Sequence, residues 1–206
     1  MGATGYTGGM HPIRLLLTFA IAALLAVPAA HAQKGGATKP GKYTDFHDID
    51  EVTIVQPFQS RNYNRIVVQR LNTANAPLPE PSDNSYADVK AALANSTAPF
   101  MEGVREKSGM QVQPGAGGPG SLIIRARITK SDPGSQAARY WGSFGAGAAK
   151  VGISGEIVDG GTGKVLARFV QERRSGFGLF GGGYRELLDR SLRQIGGDVA
   201  GLIRAM

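Results

Sequence analysis

Apolar residues recur at every second position over one part of the chain and at every third or fourth over another. Leu122, Ile124, Ala126 and Ile128 form one apolar row while Arg125, Arg127 and Thr129 point the other way, the period of a half-buried strand. Val151, Ile153 and Ile157 repeat that row, with Lys150, Ser154 and Glu156 outward, and Val165, Ala167 and Phe169 bring the chain back antiparallel. Between them Asp159-Gly160-Gly161-Thr162-Gly163 predicts a hairpin turn, because aspartate and glycine tolerate the positive φ of tight turns. Shorter strands are expected at Val52–Val55, at Arg65–Leu71 and at Met110–Gln113. The Ile66-Val67-Val68 triplet is apolar on both faces, as in a covered strand.

Helical spacing appears twice. Val89, Leu93, Phe100 and Val104 share a face between Tyr86 and Lys107, after the capping residues Ser82, Asp83, Asn84 and Ser85. Pro99 removes a hydrogen bond inside that stretch and predicts a kink, or two helices meeting near Ser96, and Gly109 ends it. Leu188, Leu192, Ile195, Val199 and Leu202 stripe a second helix from Tyr184 to about Arg204. Gly196-Gly197 costs that helix about 1 kcal/mol per glycine, an acceptable cost where it lies close on the sheet. The element order predicts an α+β fold, a mostly antiparallel sheet with two main helices packed on one face. It occupies residues 45–206, after a flexible leader at 33–44 with little to bury.

The first 32 residues are set apart. A basic start at Met10–Arg14, the uncharged run Leu15–Val27 and the small residues of Ala30-His31-Ala32 have the order of a signal peptide cleaved after Ala32. Thirteen uncharged residues are too few to cross a bilayer core, which takes about 20. Met1–Gly9 reads as an upstream extension, with Met10 the expected start. A periplasmic product is expected, with no transmembrane span after cleavage. It would also have no lipid anchor, because the sequence has no cysteine to carry one. Net charge is +7, and +6 from Gln33 onward, since Arg14 is the only charged residue before it. Outside the cytoplasm that sign either suits an anionic envelope component or an acidic protein surface rather than nucleic acid, or serves only to keep the protein soluble.

Candidate chemistry is sparse. His47 is the only histidine after the signal and there is no thiol, so no metal or cofactor site is expected. Asp45–Glu51 holds four carboxylates but not the spacing of a calcium-binding loop, and reads as a solvated edge. Gly142 and Gly147 have the glycine spacing of a phosphate-binding loop, with Ala148 where the lysine belongs. Gly145-Ala146-Gly147 meets Lys150 where a dinucleotide fingerprint needs its third glycine. No catalytic residue is selected.

Two glycine-rich stretches carry large apolar side chains, which on loops either pack under the domain or stay out for binding. Tyr140, Trp141 and Phe144 with Arg139 are candidate partner contacts in one, and Phe177, Leu179 and Phe180 in the other. Trp141 is assigned to the core side and Phe177 with Phe180 to the contact surface.

Asp132-Pro133-Gly134-Ser135, Arg139-Tyr140, Gly142–Gly147 and the hairpin Val158–Val165 together resemble the bacterial envelope family known as domain of unknown function 4410, from about Ile66 to Ile203. The resemblance implies an exported protein, often lipidated, without assigned catalytic residues. This chain departs from lipidated members by lacking the cysteine. The expected function is a non-catalytic periplasmic interaction or assembly module. The alternative is a carboxylate-based hydrolase of cell-wall or polysaccharide substrates.

Overall fold

The computed structural model describes residues 1–2, 39–132, 150–174 and 184–206. Among the described residues, seven strands form one mixed, mostly antiparallel sheet, and three α-helices accompany it. The strands are β1 (Gly41–Phe46), β2 (Ile49–Ile54), β3 (Arg65–Val68), β4 (Gln111–Pro114), β5 (Ser121–Asp132), β6 (Lys150–Asp159) and β7 (Val165–Arg174). Their order across the sheet is β1-β2-β7-β6-β5-β3-β4. β3 runs parallel to both neighbours, β4 and β5, and every other pair is antiparallel. A parallel return from β3 to β4 needs a crossover, and helices α1 (Tyr86–Ala94) and α2 (Thr97–Ser108) supply it.

Pro99 explains the split. The break at Asn95-Ser96 leaves Pro99 in the first turn of α2, where its missing N–H has no intrahelical partner to lose. Gly109 then caps α2 in the left-handed region at φ 68°. At the start of α1 the Asp83 carboxylate accepts the Ser85 amide and hydroxyl, both at 2.7 Å, so the expected polar cluster turns the chain just ahead of the helix.

Alternation decides which side chains meet the helices. Ile66, Val68, Leu122, Ile124, Ile153, Ile157, Ala167 and Phe169 share one core cluster with Val89, Phe100 and the stripe of α3 (Tyr184–Ala205). Leu188, Leu192, Ile195, Val199 and Leu202 are all fully buried, as their spacing predicts. Val67, Ile123 and Val158 form a separate small cluster, with Val165 against it. Gly117 closes over that cluster: at φ 89° any side chain is strained, and a Cβ there would collide with Ile123.

Four readings change. β1 begins at Gly41, inside the stretch expected to be a flexible leader. Asp45–Glu51, expected to be a solvated edge, is a hairpin that buries Phe46 and Ile49 and turns through His47 (φ 49°) and Asp48 (φ 64°). Val165 leaves the Ala167 row, because a register shift between Ile157 and Val158 pairs Val158 with Val165 and skips Leu166. The α3 glycines serve a helix contact, not a close approach to the sheet. A Cβ on Gly196 would overlap the Phe100 carbonyl of α2, and one on Gly103 the Arg193 carbonyl of α3.

Candidate functional site

The face of the sheet opposite the main core is where the chain displays charge. Because strands alternate sides, Arg125, Arg127, Ser154, Glu156, Arg168 and Val170 point away from the helices, and register aligns them. One cross-strand row reads Lys42, Thr53, Arg168, Glu156, Arg125 over β1, β2, β7, β6 and β5. The next reads Thr44, Glu51, Val170, Ser154, Arg127. Above these rows lies a concavity of about 660 Å³ that Gln69, Arg70 and Asn72 help to line from the segment after β3. Gly155 lies beneath it. A Cβ there would stand 2.5 Å from Phe169 Cζ and 2.7 Å from the Arg125 carbonyl oxygen, so glycine lets the buried ring cross under β6.

The charges on this face are unevenly matched. Glu156 accepts Arg168 Nε at 3.0 Å, and Glu51 meets Lys42 Nζ at 2.7 Å. Arg127 Nε donates to Ser154 Oγ at 3.0 Å. Farther along, Lys130 pairs with Glu172 and holds its carboxyl below the usual range. The side chains of Arg70 and Arg125 are exposed and have no hydrogen-bond or ionic partner among the described residues.

Two other polar groupings are structural. Tyr63 donates to Asp159 Oδ2 at 2.8 Å, and burial, with that acceptor, pushes its phenol up to about 12. Asp159 also accepts the Thr162 and Gly161 amides of the hairpin turn, and the Thr162 bond is the largest influence lowering its carboxyl. Asp198 of α3 accepts Arg173 Nη2 at 2.5 Å and Gln171 Nε2 at 3.1 Å. Gln171 also donates to the Asp48 carbonyl and accepts the Asp50 amide, which ties the β1–β2 turn to β7 and α3. Burial pushes the Asp198 carboxyl up, against the pull of Arg173. Sequence reading missed this network. Its signal was there: Asp198 lies three residues after Ile195 and four before Leu202, on the buried stripe.

Arg139, Tyr140, Trp141 and Phe144 lie outside the described residues, as do Phe177, Leu179 and Phe180. The segments that carry them leave from neighbouring positions, since Asp132, Lys150 and Arg174 form one cross-strand row. Leu15–Val27 and the cleavage site at Ala32 also lie outside. Among the described residues no three His, Cys, Asp or Glu side chains group to hold a metal ion, and no helix is long and apolar enough to cross a membrane.

Solved structures with a similar chain path include the PelC dodecamer from Paraburkholderia phytofirmans, at 10% identity and TM-score 0.44, covering 72% of this chain and 95% of that one. Another is a Xanthomonas campestris protein of the DUF330 family, at 12% identity and TM-score 0.43, covering 67% and 82%. No curated protein matches the sequence. The family model described as domain of unknown function (DUF4410) matches residues 59–178, which starts before the stretch of sequence resemblance and stops short of α3. That match takes in more than half of the chain, including β3 to β7 and the arginine rows, and the chain belongs to the DUF4410 family.

Proposed function

We propose that this is an exported, non-catalytic protein of the periplasm that serves as an interaction or assembly module of the cell envelope. One observation carries the reading: one row of strand side chains shares the main core cluster with helix residues, while the opposite row opens on a concavity where the Arg70 and Arg125 side chains have no partner among the described residues. A hydrolase would need a proton donor and a nucleophile or base left available. The two carboxylates that line the concavity, Glu51 and Glu156, are both occupied by cations. The signal-like N-terminus supports export, and the aromatic segments at 139–144 and 177–180 are the proposed additional contacts.

The test is fractionation of cells that express a C-terminally tagged chain, followed by N-terminal sequencing and capture from envelope extract. A periplasmic product beginning at Gln33 is expected, with a co-purifying envelope component that the Phe177→Ala/Phe180→Ala variant retains poorly. An uncleaved Leu15–Val27 held in membranes would refute export. Release of saccharide from cell-wall or polysaccharide substrates, abolished by Glu51→Gln or Glu156→Gln, would replace the module with the hydrolase.

A further inference from the structure

We propose that the arginine concavity receives an extended acidic peptide segment of an envelope partner, with carboxylates of alternate residues seated on Arg125 and Arg127. The inference rests on the interaction-module reading and assigns that module a ligand. Guanidinium groups take carboxylates two bonds at a time, and Arg125 and Arg70 have no anion of their own. None can come from elsewhere in the chain. All 16 acidic residues lie among those described, and the segments at 3–38, 133–149 and 175–183 contain no aspartate or glutamate. A second copy fits no better, because the carboxylates of this face, Glu51 and Glu156, already pair with Lys42 and Arg168.

Geometry selects an extended peptide among anionic partners. Arg125 and Arg127 are two residues apart on one strand face, a repeat of about 6.6–6.8 Å. Alternate side chains of an extended acidic peptide have that same repeat. Gln69 Nε2 donates to the Ala116 carbonyl and Asn72 Oδ1 accepts the Ala74 amide, which leaves Gln69 Oε1 and Asn72 Nδ2 at the border of the groove as an acceptor and a donor for a peptide backbone. The surface is recessed, whereas a lipid bilayer meets a flat or protruding one.

The probe is a fluorescein-labelled (Glu-Thr)4 peptide, titrated at low salt with protein purified from expressing cells and followed by anisotropy. Saturable binding is expected, several-fold tighter than to a block peptide of the same composition. The Arg125→Gln/Arg127→Gln variant should weaken it about tenfold, as loss of charge-assisted contacts does, and Arg70→Gln should weaken it less. Arg105→Gln/Arg185→Gln removes the same charge from the helices and should leave binding within about twofold. Thermal melts confirm that each variant is folded. Should the sheet-face double variant not fold, Arg70→Gln against Arg105→Gln makes the same comparison. Absent binding, equal loss in both double variants, or tighter binding to polygalacturonate or to phosphatidylglycerol vesicles overturns the peptide assignment. Export and partner capture are measured separately, so a periplasmic protein that captures its partner but ignores the peptide sinks this inference alone.

Discussion

Asp159 shows how much one side chain settles at the hairpin between β6 and β7. One carboxylate oxygen accepts the Gly161 and Thr162 amides at 2.9 and 2.7 Å, and the other accepts the Tyr63 hydroxyl from 96 residues away. Replacing it with alanine strands two turn amides and an aromatic hydroxyl, and should cost about 1–2 kcal/mol at neutral pH. The folded carboxyl titrates below its ordinary 3.8. Its stabilisation is therefore complete above that value and is lost as pH falls through the lower folded value. The gap between parent and Asp159→Ala should be constant from pH 5 to 8 and narrow below about pH 4, as read from urea midpoints. A gap that widened in acid would show that the carboxylate is not what stabilises the turn. The turn itself was legible from Asp159-Gly160-Gly161-Thr162-Gly163. The phenol that leans on it was not, since nothing local joins Tyr63 to residue 159.

At the scale of elements, the α2–α3 crossing depends on two glycines that sequence logic treats as costs. Gly103 and Gly196 let the backbones touch, and Arg193 flanks the contact with ion pairs to Glu102 at 2.6 Å and Glu106 at 3.1 Å. Gly196→Ala gains about 1 kcal/mol of helix propensity. It also pushes a methyl into a carbonyl that belongs to a helix backbone, where overpacking costs typically 1–3 kcal/mol and rigid surroundings raise the figure. Net destabilisation by about 1–2 kcal/mol is expected. Gly201, on the same helix, has open space where its Cβ would go, so Gly201→Ala should stabilise by about 0.5–1 kcal/mol. Equilibrium denaturation of both variants checks the opposite signs, and stabilisation by both would refute the close crossing. The stripe of α3 and the split at Pro99 could be read from spacing because both are local. β1 could not: Gly41–Phe46 offers one buried side chain, Phe46, among mostly exposed ones, too weak a pattern to separate from a leader.

Over the whole molecule, what the sequence concealed is mostly strand order. Alternation alone turns Arg125 and Arg127 outward, and that much was readable. Glu156 and Arg168 join them through the β5–β6–β7 pairings, but Glu51 joins only because β2 lies beside β7, a pairing of strands more than a hundred residues apart. That pairing also makes β1 the outer strand, supported by five residue pairs with β2 and by Phe46 in the core. Burial of a phenylalanine side chain contributes about 1.5–3 kcal/mol. Tyr43 packs partly against the same core, and Lys42 meets Glu51. A chain begun at Ile49 loses all of this and bares the edge of β2, which becomes a template for pairing with other chains. Relative to a chain begun at Gln33, it should melt about 5–10 °C lower, at roughly 2–4 °C per kcal/mol for a domain of this size. It should also aggregate on heating where the longer chain does not. Calorimetry with light scattering on the two chains is the measurement. Identical melts would mean that β1 adds nothing to the fold, and that the domain begins at Ile49 rather than at Gly41.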